Sequence, residues 1–487
     1  MPDPFNIAHP DKLFIDGAWQ AASAKRFDLI DPATETHFLS VAEADEAEVD
    51  RAVAAARQAF DAGEWPRWRP AQRAQAIRRL AAELGKRQAD LEEAFICQVG
   101  GLASFAPIAV GGATATIARY ADITERYAWE ETVPCSLPGH DALVLQAPVG
   151  VVAAISPWNM PYSIMAQKIA PALAAGCTVI MKPAPETPLE AYIIAECAAA
   201  AGIPDGVINL LPAGREVSDY LVRHAGVDKI SFTGSTVAGQ RIGSVAGERI
   251  ARVTLELGGK SPAVVLDDVS DEQAAAIIGG CATILTGQVC ALLSRAIVPA
   301  DRHDHIAELI AEQMRQVKIG SPRDPATQMG PIAMQRQLER VQGYVALGID
   351  EGARLVCGGQ RPNALSEGYY FEPTLFADVD NQMRIAQEEI FGPVLCLIPA
   401  RDEAHAIELA NDTRYGLNAS IITNRPERVR ELGRQIRAGN VAQNGMKADF
   451  ELPFGGFKQS GVGREGGIEG IRPYVETQTL LTEQTNA

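Results

Sequence analysis

The sequence predicts an α/β protein with two α/β domains in series and a small β ribbon. Three observations carry this reading. Apolar, strand-like runs alternate with capped helical runs, a rhythm that parallel sheets covered on both faces require. The 43 glycines and 30 prolines are spread along the chain, which implies many tight turns between short elements. The length of 487 residues is about three domains' worth of chain, or two large domains with an extension.

The elements follow in order. Asp45 with Glu48 three residues later is a capping-box pattern. It opens an amphipathic helix with Val49, Val53, Ala56 and Phe60 on one face. Residues 149–155 form an apolar strand, and residues 177–181 a buried one. Thr187-Pro188-Leu189-Glu190 then predicts a helix start, with Thr187 as N-cap, Pro188 at N1 and Glu190 as the reciprocal partner. Gly202 and Pro204 close that helix. Residues 206–211 and 229–233 are two more strands. After Gly258 a second alternating series begins, with a strand at 263–266 and a helix at 272–285. The β-prone tail at 477–481 can pair with residues 142–145 as an edge ribbon, a template that another subunit would cover.

Composition excludes several classes. Apolar residues make up 47% and charged residues 22%, as in ordinary globular proteins and unlike disordered, collagen-like or coiled-coil chains. The 44 basic and 61 acidic residues leave a net charge of −17, which argues against nucleic acid or an anionic membrane as partner. Eight cysteines are too few for a disulfide scaffold and point to a reducing compartment. Residues 1–14 have neither the basic nor the apolar region of a secretory leader. The most apolar stretch, residues 143–155, carries Gln146 and Pro148 and is too short to span a bilayer. The expectation is a cytoplasmic protein with no nucleic-acid or membrane partner and no metal site.

Four constellations carry chemistry. Ser231-Phe232-Thr233-Gly234-Ser235 follows a strand and opens a helix through Val237, Gly239 and Ile242. Exposed amides and a small hydroxyl at a helix start suit an anion such as pyrophosphate; they also suit a plain strand-to-helix turn. In Gly287-Gln288-Val289-Cys290, the Gly-Gln pair suggests irregular polar backbone, and a helix start there would lower the thiol pKa from about 8.5. Cys177, Cys281 and Cys396 lie in apolar patterns and read as structural. Glu256, between Leu255 and Leu257, sits where an apolar setting raises a carboxyl toward a useful base; a surface glutamate at a strand end is the other reading. Asn159, in Pro157-Trp158-Asn159, is either an oxyanion donor at a strand end or a turn residue before Pro161.

Taken together these pieces resemble the aldehyde dehydrogenase superfamily. The resemblance runs from Phe14-Ile15-Asp16-Gly17 to the tail. Its motifs stand in the family's order: Pro157-Trp158-Asn159, Lys182-Pro183, Phe232-Thr233-Gly234-Ser235 and Glu256-Leu257-Gly258-Gly259-Lys260. Gly287-Gln288-Val289-Cys290, Glu388-Glu389-Ile390-Phe391-Gly392-Pro393 and Pro453-Phe454-Gly455-Gly456-Phe457-Lys458 follow. The resemblance implies a Rossmann-like cofactor domain (1–124 and 146–258) and a catalytic domain (259–465). It also implies an oligomerisation element (125–145 and 466–487) that makes a dimer or tetramer.

It implies a mechanism as well. Cys290 is the nucleophile that gives a thiohemiacetal and then a thioester. Asn159 and the Cys290 backbone N–H hold the oxyanion, and Glu256 activates the hydrolytic water. Lys182 and Glu389 are implied ribose contacts, Ser235 with Gly234 a pyrophosphate contact, and Trp158 and Phe391 cofactor neighbours. Many NAD-preferring relatives carry a glutamate three residues past the lysine; here that position is Pro185, with Glu186 next. NAD is the expected cofactor, with NADP also admitted. Thr286 replaces an amide residue common before the Gly-Gln pair.

By the same resemblance Met160, Ser163, Ile164, Gln167, Val289, Ala291, Phe450 and Phe454 line the substrate tunnel. The set is mostly apolar, with no cationic cluster beyond nearby Lys447 and no aromatic cage, so medium or bulky hydrophobic aldehydes are expected. A semialdehyde or betaine-aldehyde-type dehydrogenase is the alternative within the family. A non-catalytic relative would tend to lose Cys290 or Glu256, and a cofactor-free thiol hydrolase needs a paired histidine that no motif supplies.

Overall fold

The computed structural model describes residues 6–484. The first five residues of the N-terminal stretch, and the last three of the expected tail element at 466–487, lie outside the described residues.

Two large sheets organise the molecule. The first has eight strands, in the order Gly461–Val462, Arg252–Glu256, Lys229–Thr233, Val151–Ile155, Thr178–Lys182, Ile208–Leu210, Lys12–Ile15, Ala18–Ala21. Its five central strands are parallel, and antiparallel strands close both edges. Runs such as Val-Val-Ala-Ala-Ile and Lys-Ile-Ser-Phe-Thr are buried throughout because helices cover both faces. Val152 and Ala154 face the core under the helices Pro70–Lys86 and Ala106–Arg126. Val151, Ala153 and Ile155 face the opposite core, under Glu46–Asp61 and Thr236–Arg249.

The second sheet has seven strands: Arg354–Cys357, Thr374–Ala377, Val394–Ala400, Leu293–Pro299, Ser261–Val265, Asn418–Ile422, Asn440–Gln443. Only Arg354–Cys357 runs antiparallel to its neighbour. Its faces divide likewise, with Val264 and Ile297 toward one core and Ala263, Val265 and Ala296 toward the other. The short turn from Leu257 to Lys260 joins the two sheets, so the carboxyl end of Arg252–Glu256 leads straight into the second body.

A separate three-stranded sheet pairs Val475–Glu483 with His140–Pro148 and Glu130–Val133. The register runs unbroken from Val475↔Pro148 to Glu483↔His140. Leu480 and Leu481 stay exposed on it. Among the described residues, no helix is long and apolar enough to cross a membrane.

The Asp45 capping box forms in both directions: the Glu48 N–H donates to Asp45 at 3.0 Å and the Asp45 N–H to Glu48 at 2.8 Å. The box expected at Thr187 does not form. Pro188 takes the N-cap position of the helix Leu189–Ala200, and the buried Thr187 hydroxyl has no partner. Gln98, on the packed helix Gln88–Val99, competes for both groups. Its Oε1 accepts from the Leu189 N–H at 3.0 Å, and its Nε2 donates to Glu190 at 2.9 Å.

Glu190 is thereby buried, and its carboxyl is pushed up to about 7 from an ordinary value near 4.5, burial being the main cause. The folded state therefore holds that proton more tightly than the unfolded chain. Its contribution to stability is full below about 4.5 and is lost as pH rises through about 7. Glu190→Gln is expected to flatten the stability curve across that window and to gain about 1–3 kcal/mol on the alkaline side. Denaturant midpoints measured on either side of the window check this; parallel curves for the two proteins would contradict it.

Candidate active site

Ligand crevices in open α/β sheets lie at the carboxyl ends of the strands. Here those ends are level: Ile155 is in register with Lys182 and Phe232, and Thr233 with Glu256. A cavity of about 400 Å³ opens over them, within the range of small-molecule and cofactor sites. Trp158, Asn159, Ile164, Gly234 and Ser235 line its first wall. Cys290 lines it too, as do Glu389 and Phe391 from the segment that leads into the second sheet's strand Val394–Ala400. Eight of the expected residues thus share one cavity.

The other expected residues lie around it. Glu256 and Lys182 are buried at their strand ends, and Pro185 is half-buried on the following loop. Met160 packs with Trp158 against Phe95 and Met334. The Ser163 hydroxyl reaches the Ala109 carbonyl at 3.4 Å, and Gln167 is buried with its Oε1 unpartnered. Ala291, Leu417 and Phe454 form an apolar cluster against which Cys290, Val289 and Met446 pack. Phe450 packs on Phe454 with ring centroids 5.4 Å apart and is partly exposed.

The nucleophile's turn is built from strain and clamps. The helix expected over 272–285 runs Asp271–Ala282 and stops there. Leu285 and Thr286 then adopt left-handed φ of 46° and 55°, which non-glycine residues adopt only when their surroundings hold them. The Thr286 hydroxyl supplies one restraint, donating to the Gly330 carbonyl at 3.0 Å. Gly287 is required by space as well as by its φ of 76°: a Cβ there would lie 2.1 Å from the Gly392 carbonyl. Gln288 is fully buried and bracketed. Its Nε2 donates to Leu285, its Oε1 accepts from the Ala333 N–H at 2.9 Å, and its carbonyl accepts from Asn159 Nδ2 at 2.8 Å.

The expected low thiol pKa is corrected by this geometry. Cys290 follows a turn and starts no helix, so no helix dipole favours its thiolate. Burial pushes the thiol up to about 12, and the carboxylates of Glu389 and Glu256 add to the rise. The N–H groups of Ala291 and Cys290 work the other way.

Glu256 is a buried carboxylate with no hydrogen-bond partner on either oxygen. Burial, then the charge of Glu465, holds its carboxyl well above the usual range, against Lys168 and Arg464. Lys168 is itself buried and donates to Glu465 and to Thr233, each at 2.7 Å. Gly455 makes room for Glu256, since a Cβ there would lie 2.6 Å from its Oε1. Lys168 and Glu465 lie far apart in the chain, and no local pattern announces their pairing.

The residues also fit a dinucleotide. Ser235 caps the helix Thr236–Arg249 at the cavity wall, and the buried Thr236 hydroxyl there has no partner. Gly239 lets that helix approach Leu257, which a Cβ would strike at 2.3 Å. Glu389 accepts from the Gly259 N–H at 3.0 Å and is pushed up to about 7 by burial. A Cβ on Gly258 would lie 2.6 Å from its second oxygen. Trp158 and Phe391 meet edge to face at 5.2 Å. Lys182 is pulled down to about 8 by burial, and Glu186 beside it pairs with Arg336.

Comparison with known proteins gives one answer. The model described as the aldehyde dehydrogenase family matches residues 19–480. The geranial dehydrogenase of Castellaniella defragrans is 41% identical over 464 residues, covering 95% of this chain and 96% of its own. The 3-succinoylsemialdehyde-pyridine dehydrogenase of a Pseudomonas species is 39% identical over 477 residues, covering 96% and 98%. The crystal structure of Mycobacterium tuberculosis aldehyde dehydrogenase complexed with NAD+ matches at 40% identity and a TM-score of 0.94, covering 98% and 99%. A Pseudomonas syringae aldehyde dehydrogenase mutant complexed with NAD+ and octanal matches at 38% and 0.94, covering 98% of each chain.

Proposed function

The chain belongs to the aldehyde dehydrogenase family, and on that premise we propose that Cys290, Asn159 and Glu256 carry its chemistry on medium or bulky hydrophobic aldehydes. The enzyme is an NAD(P)-dependent aldehyde dehydrogenase. Overall, an aldehyde and water become a carboxylate as NAD(P)+ is reduced. The observation that carries the assignment is Glu256: a buried carboxylate left without a partner, whose charge acts on the half-buried Cys290 thiol.

The steps follow from the residues. The Cys290 thiol, held at about 12, gives up its proton to solvent as its sulfur attacks the aldehyde carbon, whose oxygen takes up the negative charge. Asn159 Nδ2 spends one hydrogen on the Gln288 carbonyl and keeps a second for the developing oxyanion, which the Cys290 N–H also meets. When bound, NAD(P)+ supplies the hydride acceptor that turns the thiohemiacetal into a thioester. Glu256 then takes a proton from water, whose oxygen attacks the thioester carbon and frees the Cys290 sulfur.

Asn159→Ala is expected to lower kcat about 10²–10³-fold with little change in the KM for NAD+. Steady-state kinetics check this, and an unchanged kcat would remove Asn159 from the oxyanion site.

Lys182, Glu389, Ser235, Gly234, Trp158, Phe391 and Pro185 form the cofactor contacts in this reading. NAD is the preferred form, supported by the NAD+ complexes of the similar structures and by the charge of Glu186 next to Pro185. The substrate class is supported by the apolar cluster of Ala291, Leu417 and Phe454 beside Cys290 and by Phe450 on Phe454. Met160, Ser163, Ile164, Gln167 and Val289 complete the tunnel, and Lys447 is exposed. The 41% identical geranial dehydrogenase points the same way. Geranial, hexanal and benzaldehyde are expected to exceed succinic semialdehyde and betaine aldehyde in kcat/KM by about 10-fold or more. A kinetic panel in which either polar aldehyde leads would overturn the class.

The division into a cofactor domain (1–124 and 146–258), a catalytic domain (259–465) and an oligomerisation element (125–145 and 466–487) is part of this proposal. So are a homodimeric or homotetrameric state and a cytoplasmic location. The exposed Leu480 and Leu481 on a paired edge strand support assembly. The need for a free Cys290 thiol supports a reducing compartment.

A further inference from the structure

The last residue of the Glu256–Lys260 motif has no part in the chemistry above. Lys260 enters the second sheet just before Ser261–Val265, is only 1% exposed, and its Nζ has no partner. Two more buried polar atoms nearby are also without partners, Ser261 Oγ and Asn418 Oδ1. All three residues line one small cavity of about 10 Å³, together with Pro262, Tyr415 and Leu417. That volume is about what one water molecule needs. We propose that this cavity is a binding site for a single water molecule, held by Lys260 Nζ, Ser261 Oγ and Asn418 Oδ1.

The donor set selects the ligand. Asn418 Nδ2 donates to the Ala291 carbonyl at 3.0 Å, which fixes Oδ1 as the group still needing a donor. An anion would meet that oxygen and be repelled. A cation would meet Lys260, with the buried guanidinium of Arg295 donating to the Lys260 carbonyl at 3.0 Å. A neutral molecule that both donates and accepts satisfies all three, giving a hydrogen to Asn418 and taking hydrogens from Lys260 and Ser261. The site lies directly behind the nucleophile, because Asn418 holds the carbonyl of the residue after Cys290.

A high-resolution crystal structure of the full chain with NAD+ tests this. One density peak within hydrogen-bond distance of all three atoms is expected, with no anomalous signal there after a bromide soak. Ser261→Val, whose methyl groups fill the cavity, is expected to lose the peak. An empty cavity in the wild-type protein, a bromide signal in it, or a peak that persists in Ser261→Val would each overturn the assignment. The wild-type map decides alone if the variant does not fold.

Discussion

Cys290→Ala is expected to lower kcat at least about 10⁴-fold while leaving NAD+ affinity within a few-fold. The thiol is the cavity-lining nucleophile that the proposed mechanism uses. The turn around it is fixed by the Gln288 bracket and the Thr286 hydroxyl, none of which needs the sulfur. Alanine therefore removes the chemistry and spares the cofactor wall. NADH production and NAD+ titration calorimetry read the two effects separately. Retention of most of the turnover would mean that another group attacks the aldehyde. Loss of NAD+ affinity in step with kcat would mean that Cys290 acts through the cofactor wall.

Glu256→Gln is expected to split the reaction. Acylation and one equivalent of NADH appear as a burst, and steady turnover falls about 10²–10⁴-fold because no base opens the thioester. The pH dependence carries a sign. The wild-type carboxyl is held well above its ordinary value by burial and by Glu465, so it is protonated, and useless as a base, below that raised value. Deacylation should therefore rise with pH through a value above the ordinary glutamate range, and the variant should lack that limb. Gln is close in size to Glu, and both Glu256 oxygens lack hydrogen-bond partners, so the variant breaks no bond in the fold. Stopped-flow traces across a pH series check both points; a variant with no burst and unchanged turnover would take Glu256 out of deacylation.

What the sequence makes legible depends on the range of the interaction. The Asp45–Glu48 box is local, and it forms as read. The strand at Lys229–Thr233 is found with the expected bounds. The box at Thr187 fails because Gln98, distant in the chain, offers better partners to the same groups. The helix over 272–285 ends early because Leu285 and Thr286 are forced into left-handed backbone by the packing of the turn, which no periodicity reveals.

Electrostatics shows the same limit. A glutamate between leucines is correctly read as raised, but Cys290 moves opposite to expectation because desolvation and the charges of Glu389 and Glu256, both distant in the chain, outweigh the local N–H groups. The Lys168–Glu465 pair behind Glu256 is purely tertiary. The motif glycines, in contrast, gain physical reasons only from the fold. Gly258 makes room for Glu389, Gly455 for Glu256 and Gly239 for Leu257.

The most direct test of the mechanism is peptide mass spectrometry of Glu256→Gln after brief exposure to hexanal and NAD+. The acyl group should be found on the peptide that carries Cys290, as a thioester released by hydroxylamine, and should be missing when NAD+ is left out. An unmodified Cys290 after the NADH burst, or an acyl group on another residue, would contradict the account.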